Sequence, residues 1–316
     1  MAQYKILITD GLSEAGLALL QSAGDVIINP RISPAELLEV LPDYQALVVR
    51  SRTKVTRAVI EAGRQLKVIG RAGVGVDNID VEAAVERGIT VVNSPLAATT
   101  AVAELTLGLM LALARQLPHA DATMKVEKWE KSAFMGSELS GKTLGLAGVG
   151  RIGSKVALLA KAFGMKVIGF DPYIDDEALQ ARGVTPVTFG GVLEGADYLS
   201  LHLPLTADTH GLISQAELSL MKKGAYLICA ARGGVVDESA LIAALDSGHL
   251  AGAALDVFTS EPPPAGGIAE HPNVIATPHI GAQTMEAQAR AGVAIAEEVV
   301  AVLQGKEPRW KVLKDE

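Results

Sequence analysis

Along nearly the whole chain, short runs of aliphatic and β-branched residues alternate with stretches whose apolar positions recur every three or four residues. The runs Lys5–Thr9, Ala46–Arg50, Lys67–Arg71 and Thr90–Asn93 show almost no polar alternation, the pattern of strands buried on both faces. Helical stretches at Ser13–Ala23, Ser33–Leu41, Thr56–Arg64 and Val81–Arg87 separate them, with Ser33-Pro34 and Thr56 as start signals. Strand after strand with a helix between predicts a parallel sheet covered by helices on both faces.

The rhythm changes at Asn93-Ser94-Pro95. Thr99–Arg115 is one long helical stretch, apolar nearly all round, and is expected to be buried between domains or between subunits. A second strand–helix series follows, with strands at Thr143–Ala147, Lys166–Asp171, Tyr198–Leu203, Ala225–Ala230, Ala253–Phe258 and Val274–Thr277. The chain closes on a helix from Thr284 to Gln304, expected to return to the first domain. The fold class is therefore α/β, with two doubly wound parallel-sheet domains.

Composition narrows the function. A chain of 316 residues exceeds what one hydrophobic core usually serves. With 49% hydrophobic and 20% charged residues it is not a disordered chain. A single cysteine, Cys229, excludes a disulfide scaffold and a cysteine-rich zinc site. The balance of 28 basic against 36 acidic residues, net −8, argues against nonspecific nucleic-acid binding, and no nucleic-acid partner is expected. The mean hydropathy of +0.30 raises the membrane question. The most apolar stretch, Ala101–Ala114, contains Glu104 and is too short to span a bilayer. The N-terminus offers no signal peptide, so a cytoplasmic location is expected. No H-E-x-x-H or paired-histidine pattern suggests a metal, and no G-x-S-x-G elbow suggests a hydrolase. What remains unexplained is 32 glycines, above the ordinary share of roughly 7%.

Three of them form Gly148-Val149-Gly150-Arg151-Ile152-Gly153, between the strand Thr143–Ala147 and a helix. Gly148 allows a tight turn, Gly150 lets the backbone approach a pyrophosphate, and Gly153 lets helix and strand pack closely. The helix start offers free N–H groups to the anion, and Arg151 adds a charge there. Asp171 follows Gly153 by 18 residues, close to the ~20 expected of the acid that bonds the adenosine ribose. A carboxylate there repels a 2′-phosphate, and Pro172 and Tyr173 follow rather than arginine, so NAD is favoured over NADP. His202, in Leu-His-Leu-Pro at a strand end, is placed on the adenine side.

Arg232, Glu261 and His279 each follow a predicted strand, at the edge where open α/β sheets bind ligands. Arginine offers a planar, permanent charge to a carboxylate. Histidine exchanges a proton with an oxygen as hydride moves, and a neighbouring glutamate orients its ring. Together they fit hydride transfer between a nicotinamide and a 2-hydroxy or 2-keto acid.

At these residues the sequence resembles the D-isomer-specific 2-hydroxyacid dehydrogenases, and within them the phosphoglycerate dehydrogenase branch. The segments that carry the likeness are Val49-Arg50-Ser51-Arg52-Thr53, Arg71-Ala72-Gly73-Val74-Gly75-Val76-Asp77-Asn78, Lys128-Trp129-Glu130-Lys131, the glycine loop, Ala231-Arg232-Gly233-Gly234, Asp256-Val257-Phe258 and Pro278-His279-Ile280-Gly281. The resemblance implies a Rossmann NAD-binding domain, residues 96–282, inserted into a flavodoxin-like substrate-binding domain made of 1–95 and 283–316. It makes His279 the acid/base, Glu261 its partner and Arg232 the carboxylate binder. It has N–H groups of Gly73, Val74 and Gly75 grip the carboxylate, and it sets Asp256 against the nicotinamide carboxamide. Arg50, Ser51 and Arg71, with Lys131 of the partner subunit, would meet a phosphate on the substrate. The implied reaction is oxidation of a D-2-hydroxy acid, foremost 3-phospho-D-glycerate to 3-phosphohydroxypyruvate at the entry to serine synthesis. The implied assembly is a homodimer or homotetramer joined through the nucleotide domain. Glutamate at 261 disfavours formate, whose dehydrogenases carry glutamine there.

Two positions depart from that branch. The asparagine usual shortly after Asn93-Ser94-Pro95 is replaced by Leu96-Ala97-Ala98-Thr99-Thr100, and Arg52 stands where a small residue is usual. Both bear on the group beyond C2, which keeps open a glyoxylate or hydroxypyruvate reductase, or a dehydrogenase of another anionic acid. A third reading is an NAD-sensing binding protein like the corepressors that resemble this family. The chain also ends soon after the terminal helix, so no serine-binding regulatory domain is expected.

Overall fold

The computed structural model describes residues 4–313. The chain forms two compact units, one running to Ala98 and resuming at Ala282, the other spanning Thr99–Gly281. The first contains β1 (Tyr4–Ile8), α1 (Glu14–Ala23), β2 (Gly24–Ile28), α2 (Pro34–Val40), β3 (Ala46–Val49), α3 (Arg57–Ala62), β4 (Val68–Arg71), α4 (Val81–Glu86) and β5 (Thr90–Asn93). The second holds α5 (Thr99–Arg115), α6 (Leu117–Lys125), β6 (Thr143–Ala147), α7 (Arg151–Ala162), β7 (Lys166–Phe170), α8 (Asp176–Ala181), β8 (Thr185–Pro186), α9 (Phe189–Gly195), β9 (Tyr198–Leu201), α10 (Gln215–Leu220), β10 (Ala225–Cys229), α11 (Glu238–Asp246), β11 (Leu250–Leu255) and β12 (Val274–Ala276). The last helix, α12 (Met285–Leu303), belongs to the first unit.

The first unit's sheet has the order β2-β1-β3-β4-β5, with every pairing parallel. Alternate strand residues serve opposite faces. Leu7, Leu47, Val49, Ile69 and Val91 pack with Leu37, Leu41, Ile60 and Ala83 on one side. Ile6, Ile8, Val48, Val68 and Val92 pack with Leu20, Ile295 and Val299 on the other. Each such Leu, Ile or Val contributes about 1.5–3 kcal/mol when taken from water. The bare Cα of Gly70 lets α12 lie on β4, since a Cβ there would be 2.6 Å from Val299 Cγ2. The sequence pattern omits β2, an edge strand that begins at Gly24, immediately after α1 ends at Ala23. With no linker between them, helical periodicity masks the start of the strand.

The second sheet runs β12-β11-β10-β9-β6-β7-β8, again parallel throughout. Its order reverses between β6 and β9, the place where doubly wound sheets open a crevice beyond the strand ends. The apolar helix α5 is consumed within this unit: Ala103, Leu107, Met110 and Leu113 share a core with Val156, Ala157 and Ala160 of α7 and with Leu144, Leu146 and Ile228. The strand expected over 253–258 is shifted to Leu250–Leu255, because Leu250 pairs with Ala225 across an irregular register and the chain turns away at Asp256. No single helix among the described residues is long and apolar enough to cross a membrane.

Candidate active site

In the second unit, Gly148 follows β6 with φ +87°, and a Cβ there would lie 2.5 Å from the His202 carbonyl oxygen. A Cβ on Gly153 would lie 2.3 Å from the Gly148 carbonyl oxygen. The two glycines thus weld the turn to β9 and to α7. Gly150 differs: its Cβ would meet nothing within 4 Å, and α7 begins there with no side-chain cap. Open space over an uncapped helix start, approached by bare backbone, fits the pyrophosphate of a dinucleotide. Arg151 and Ile152 form the first turn of α7.

Asp171 follows β7, and its carboxylate accepts from the Val149 N–H at 2.9 Å and the Tyr173 N–H at 3.0 Å. The Val149 carbonyl accepts from Arg182 Nη1 at 2.6 Å and Ser154 Oγ at 2.8 Å. Sequence reasoning missed Arg182, which has no motif and reaches the loop only through folding. His202 Nε2 lies 3.0 Å from Ser200 Oγ, while its Nδ1 is buried with no hydrogen-bond partner. Burial pushes its pKa down to about 4, so the ring is neutral.

The polar trio gathers beyond β10, β11 and β12. His279 Nδ1 meets the Glu261 carboxylate at 2.8 and 3.0 Å, and both side chains are nearly half exposed. His279 has φ +53°, a left-handed conformation uncommon outside glycine. Asp256, 1% exposed, holds that turn in place. Its Oδ1 accepts from Thr277 Oγ1 at 2.6 Å and the Ile280 N–H at 2.8 Å; its Oδ2 accepts from the Gly281 N–H at 2.8 Å. Asp256, expected to address the nicotinamide carboxamide, thus accepts three hydrogen bonds from the His279 loop. Arg232 follows β10 and donates to the Ala231 carbonyl at 2.7 Å. The next residue, Gly233, abuts the backbone that leads to Glu261: a Cβ there would be 1.8 Å from the Phe258 carbonyl oxygen. The Phe258 N–H in turn donates to Glu261 Oε1 at 3.3 Å. Lys131 stands apart on an exposed short turn, Lys131–Ala133, with no hydrogen bond or ion pair to the trio.

In the first unit, Arg50 and Ser51 follow the C-terminal end of β3, Arg71 is the last residue of β4, and Gly73, Val74 and Gly75 come just after it. The Arg71 guanidinium lies against Gly73, where a Cβ would be 1.7 Å from Nη1. Asn93 Nδ2 donates to the Val74 carbonyl at 2.7 Å, and the Ser94 N–H donates to the Gly73 carbonyl at 2.9 Å. With those carbonyls fixed, the Val74 and Gly75 N–H groups donate to nothing among the described residues. Arg50 is half-buried; burial lowers its pKa from the ordinary arginine value while the charge of Asp10 opposes that shift. Ser51 is exposed. The described residues contain no group of three or more His, Cys, Asp or Glu arranged to hold a metal.

Residues 107–281 match the family profile described as D-isomer specific 2-hydroxyacid dehydrogenase, NAD binding domain. The chain belongs to that family. The unit carrying the glycine loop is thus its NAD-binding domain, and NAD is the cofactor of the family. The D-3-phosphoglycerate dehydrogenase of Methanocaldococcus jannaschii is 52% identical over 303 residues, 96% of this chain and 58% of that protein. The chain spans a little over half the length of the curated relatives it matches. Among solved structures, the TT0316 protein of Thermus thermophilus is 37% identical with a TM-score of 0.88, covering 98% of this chain and 100% of that one. The D-lactate dehydrogenase of Aquifex aeolicus, solved with NAD and lactic acid, is 30% identical with a TM-score of 0.83, covering 95% and 96%.

Proposed function

We propose that this member of the family oxidises a D-2-hydroxy acid with NAD, and that the acid is 3-phospho-D-glycerate, giving 3-phosphohydroxypyruvate for serine synthesis. The observation that carries the reading is the His279–Glu261 pair, 2.8 Å apart, with His279 on a turn clamped by Asp256. Because Nδ1 faces Glu261, its proton stays there and Nε2 is the nitrogen that takes the hydroxyl proton during oxidation. Arg232 binds the carboxylate of the acid and draws electron density from the neighbouring carbon–oxygen bond. Gly148, Gly150, Arg151, Ile152 and Gly153 hold the dinucleotide pyrophosphate, Asp171 the adenosine ribose, and His202 borders the adenine side. A bound nicotinamide supplies the hydride acceptor. The N–H groups of Val74 and Gly75, with Gly73 keeping the approach clear, are anion donors. Arg50, Ser51 and Arg71 serve the phosphate. The likeness to curated D-3-phosphoglycerate dehydrogenases at about half identity supports the substrate.

The same reading extends to assembly and setting. Trp129 and Met135 are 79% and 86% exposed, with Leu117, Met124 and Val126 also exposed nearby in sequence. That apolar segment supports a homodimer in which a second copy covers it, with Lys131 in the covered stretch. A cytoplasmic setting goes with use of the NAD pool.

Initial rates with NAD and NADP on 3-phospho-D-glycerate, D-glycerate, D-lactate and a D-2-hydroxy sulfonate test the assignment. The expected result is NADH formation with kcat/KM highest for the phosphorylated acid. No NADH from any of these acids overturns it, and a higher kcat/KM for an unphosphorylated acid overturns the substrate.

A further inference from the structure

The strands β1 and β3 are neighbours at the point where the order of the first unit's sheet reverses. Asp10 lies just beyond β1 and is only 7% exposed. Its Oδ2 accepts from the Arg50 N–H at 2.6 Å and the Thr53 N–H at 3.3 Å. Its Oδ1 accepts from Thr53 Oγ1 at 2.9 Å and pairs with Arg52 Nε at 2.9 Å. From another segment, Asn78 Nδ2 donates to the carbonyls of Arg50 at 2.8 Å and Thr53 at 2.6 Å. Both backbone polar groups of Arg50 are therefore held by side chains of other segments. The Arg50 side chain itself makes no hydrogen bond or ion pair within the described residues.

Arg52 is arranged the other way. Its Nε is on Asp10, its Nη1 donates to the Ile32 carbonyl at 3.4 Å and its Nη2 to the Thr9 carbonyl. The side chain is 50% exposed, yet all three nitrogens are taken by partners within the protein. Burying a carboxylate is costly unless its acceptors are filled, so such a network is held for what it positions.

We propose that Asp10 and Asn78 are positioning residues for Arg50, and that Asp10 withdraws Arg52 from ligand contact by tying it into the fold. Of the two arginines in Arg50-Ser51-Arg52, the first carries charge to the substrate and the second is a strap. This rests on the reading of Arg50 as a contact of the anionic group beyond C2. It also answers the sequence-level concern that Arg52 alters the specificity: its charge is already neutralised by Asp10.

A double-mutant cycle tests it, with Asp10→Asn, Asn78→Ser, Arg52→Ala and Arg50→Ala alone and each of the first three combined with Arg50→Ala. The acid is the one the intact protein turns over best, and denaturant unfolding of each variant is the control for folding, since the substituted residues lie in the first unit. Asp10→Asn and Asn78→Ser are each expected to raise KM about tenfold with kcat within about twofold. On the Arg50→Ala background, Asp10→Asn, Asn78→Ser and Arg52→Ala should each add less than about twofold. If Arg52→Ala adds its full effect to Arg50→Ala, Arg52 touches the ligand and the strap is wrong. If Asp10→Asn and Asn78→Ser are additive with Arg50→Ala, positioning is wrong while the substrate reading stands. If Arg50→Ala leaves KM unchanged, both fall. Should Asp10→Asn show no cooperative unfolding of the first unit, Asn78→Ser carries the cycle.

Discussion

The guanidinium of Arg71 occupies the space that a side chain at position 73 would need, with Nη1 only 1.7 Å from where a Gly73 Cβ would sit. The bare Cα of Gly73 lets that cation lie against the loop, and any side chain there would have to displace it. Gly73→Ala should displace Arg71 or the loop, raising KM for the acid by at least about tenfold. NADH binding, measured by fluorescence on the same protein, should stay unchanged, because the glycine loop belongs to the other unit. An unaltered KM would show that this contact has no part in binding.

His279 and Glu261 make the second test. His279→Ala should lower kcat by about 10²–10⁴-fold, the range for general acid–base catalysis. Binding of NADH should persist in that variant, so the loss is chemical. Glu261→Gln keeps a hydrogen-bond acceptor for Nδ1 but removes the charge, and should cost less than His279→Ala. Stopped-flow measurement of NADH formation separates the two, and full activity in His279→Ala would dismiss the acid/base role.

Much of this was legible in the sequence because each signal was local. The buried strands read as apolar runs, and the glycine loop announced itself by spacing between a strand and a helix. Arg232, Glu261 and His279 were marked out by polar residues just past apolar strands. What escaped notice was long-range. Asp10 meets Arg50 across 40 residues and Arg182 meets Val149 across 33, contacts that only sheet order creates. Nothing local reveals that the Asp256 carboxylate also accepts from the Ile280 and Gly281 N–H groups, 24 and 25 residues away.

Asp256→Asn measures that buried clamp. Asparagine keeps one acceptor oxygen but sets an N–H₂ against a backbone donor, leaving at least one buried group unsatisfied. A stability loss of about 1–3 kcal/mol is expected from denaturant unfolding. The His279 turn, with φ +53°, loses the bonds that hold it, so kcat should fall as well. A variant with wild-type kcat would mean that the turn holds its shape without Asp256.

Asp171 has two tasks that one substitution separates. Its carboxylate anchors the Val149 N–H at 2.9 Å, and in the proposed function it also bonds the adenosine ribose. Asp171→Ala should weaken NADH binding about tenfold and narrow the preference for NAD over NADP. Asp171→Asn preserves an acceptor for Val149 while removing the charge, so it should keep more NADH affinity yet lose similar discrimination. Calorimetric titration with NADH and NADPH reads both, and an unchanged preference in the two variants would remove the ribose role.

His202 makes the stability of the protein depend on pH in a stated direction. Its pKa is pushed down to about 4 by burial, from an ordinary value of 6.5. Between those values the unfolded chain binds a proton that the native ring refuses, so stability falls as pH drops from 6.5 toward 4. Above 6.5 the ring is neutral in both states and the effect vanishes. The full span corresponds to about 3 kcal/mol. Urea unfolding at pH 7 and at pH 4.5 should therefore show a larger loss for the native protein than for His202→Gln, which has no such proton to take up. Equal losses in the two proteins would mean that the ring is not held neutral.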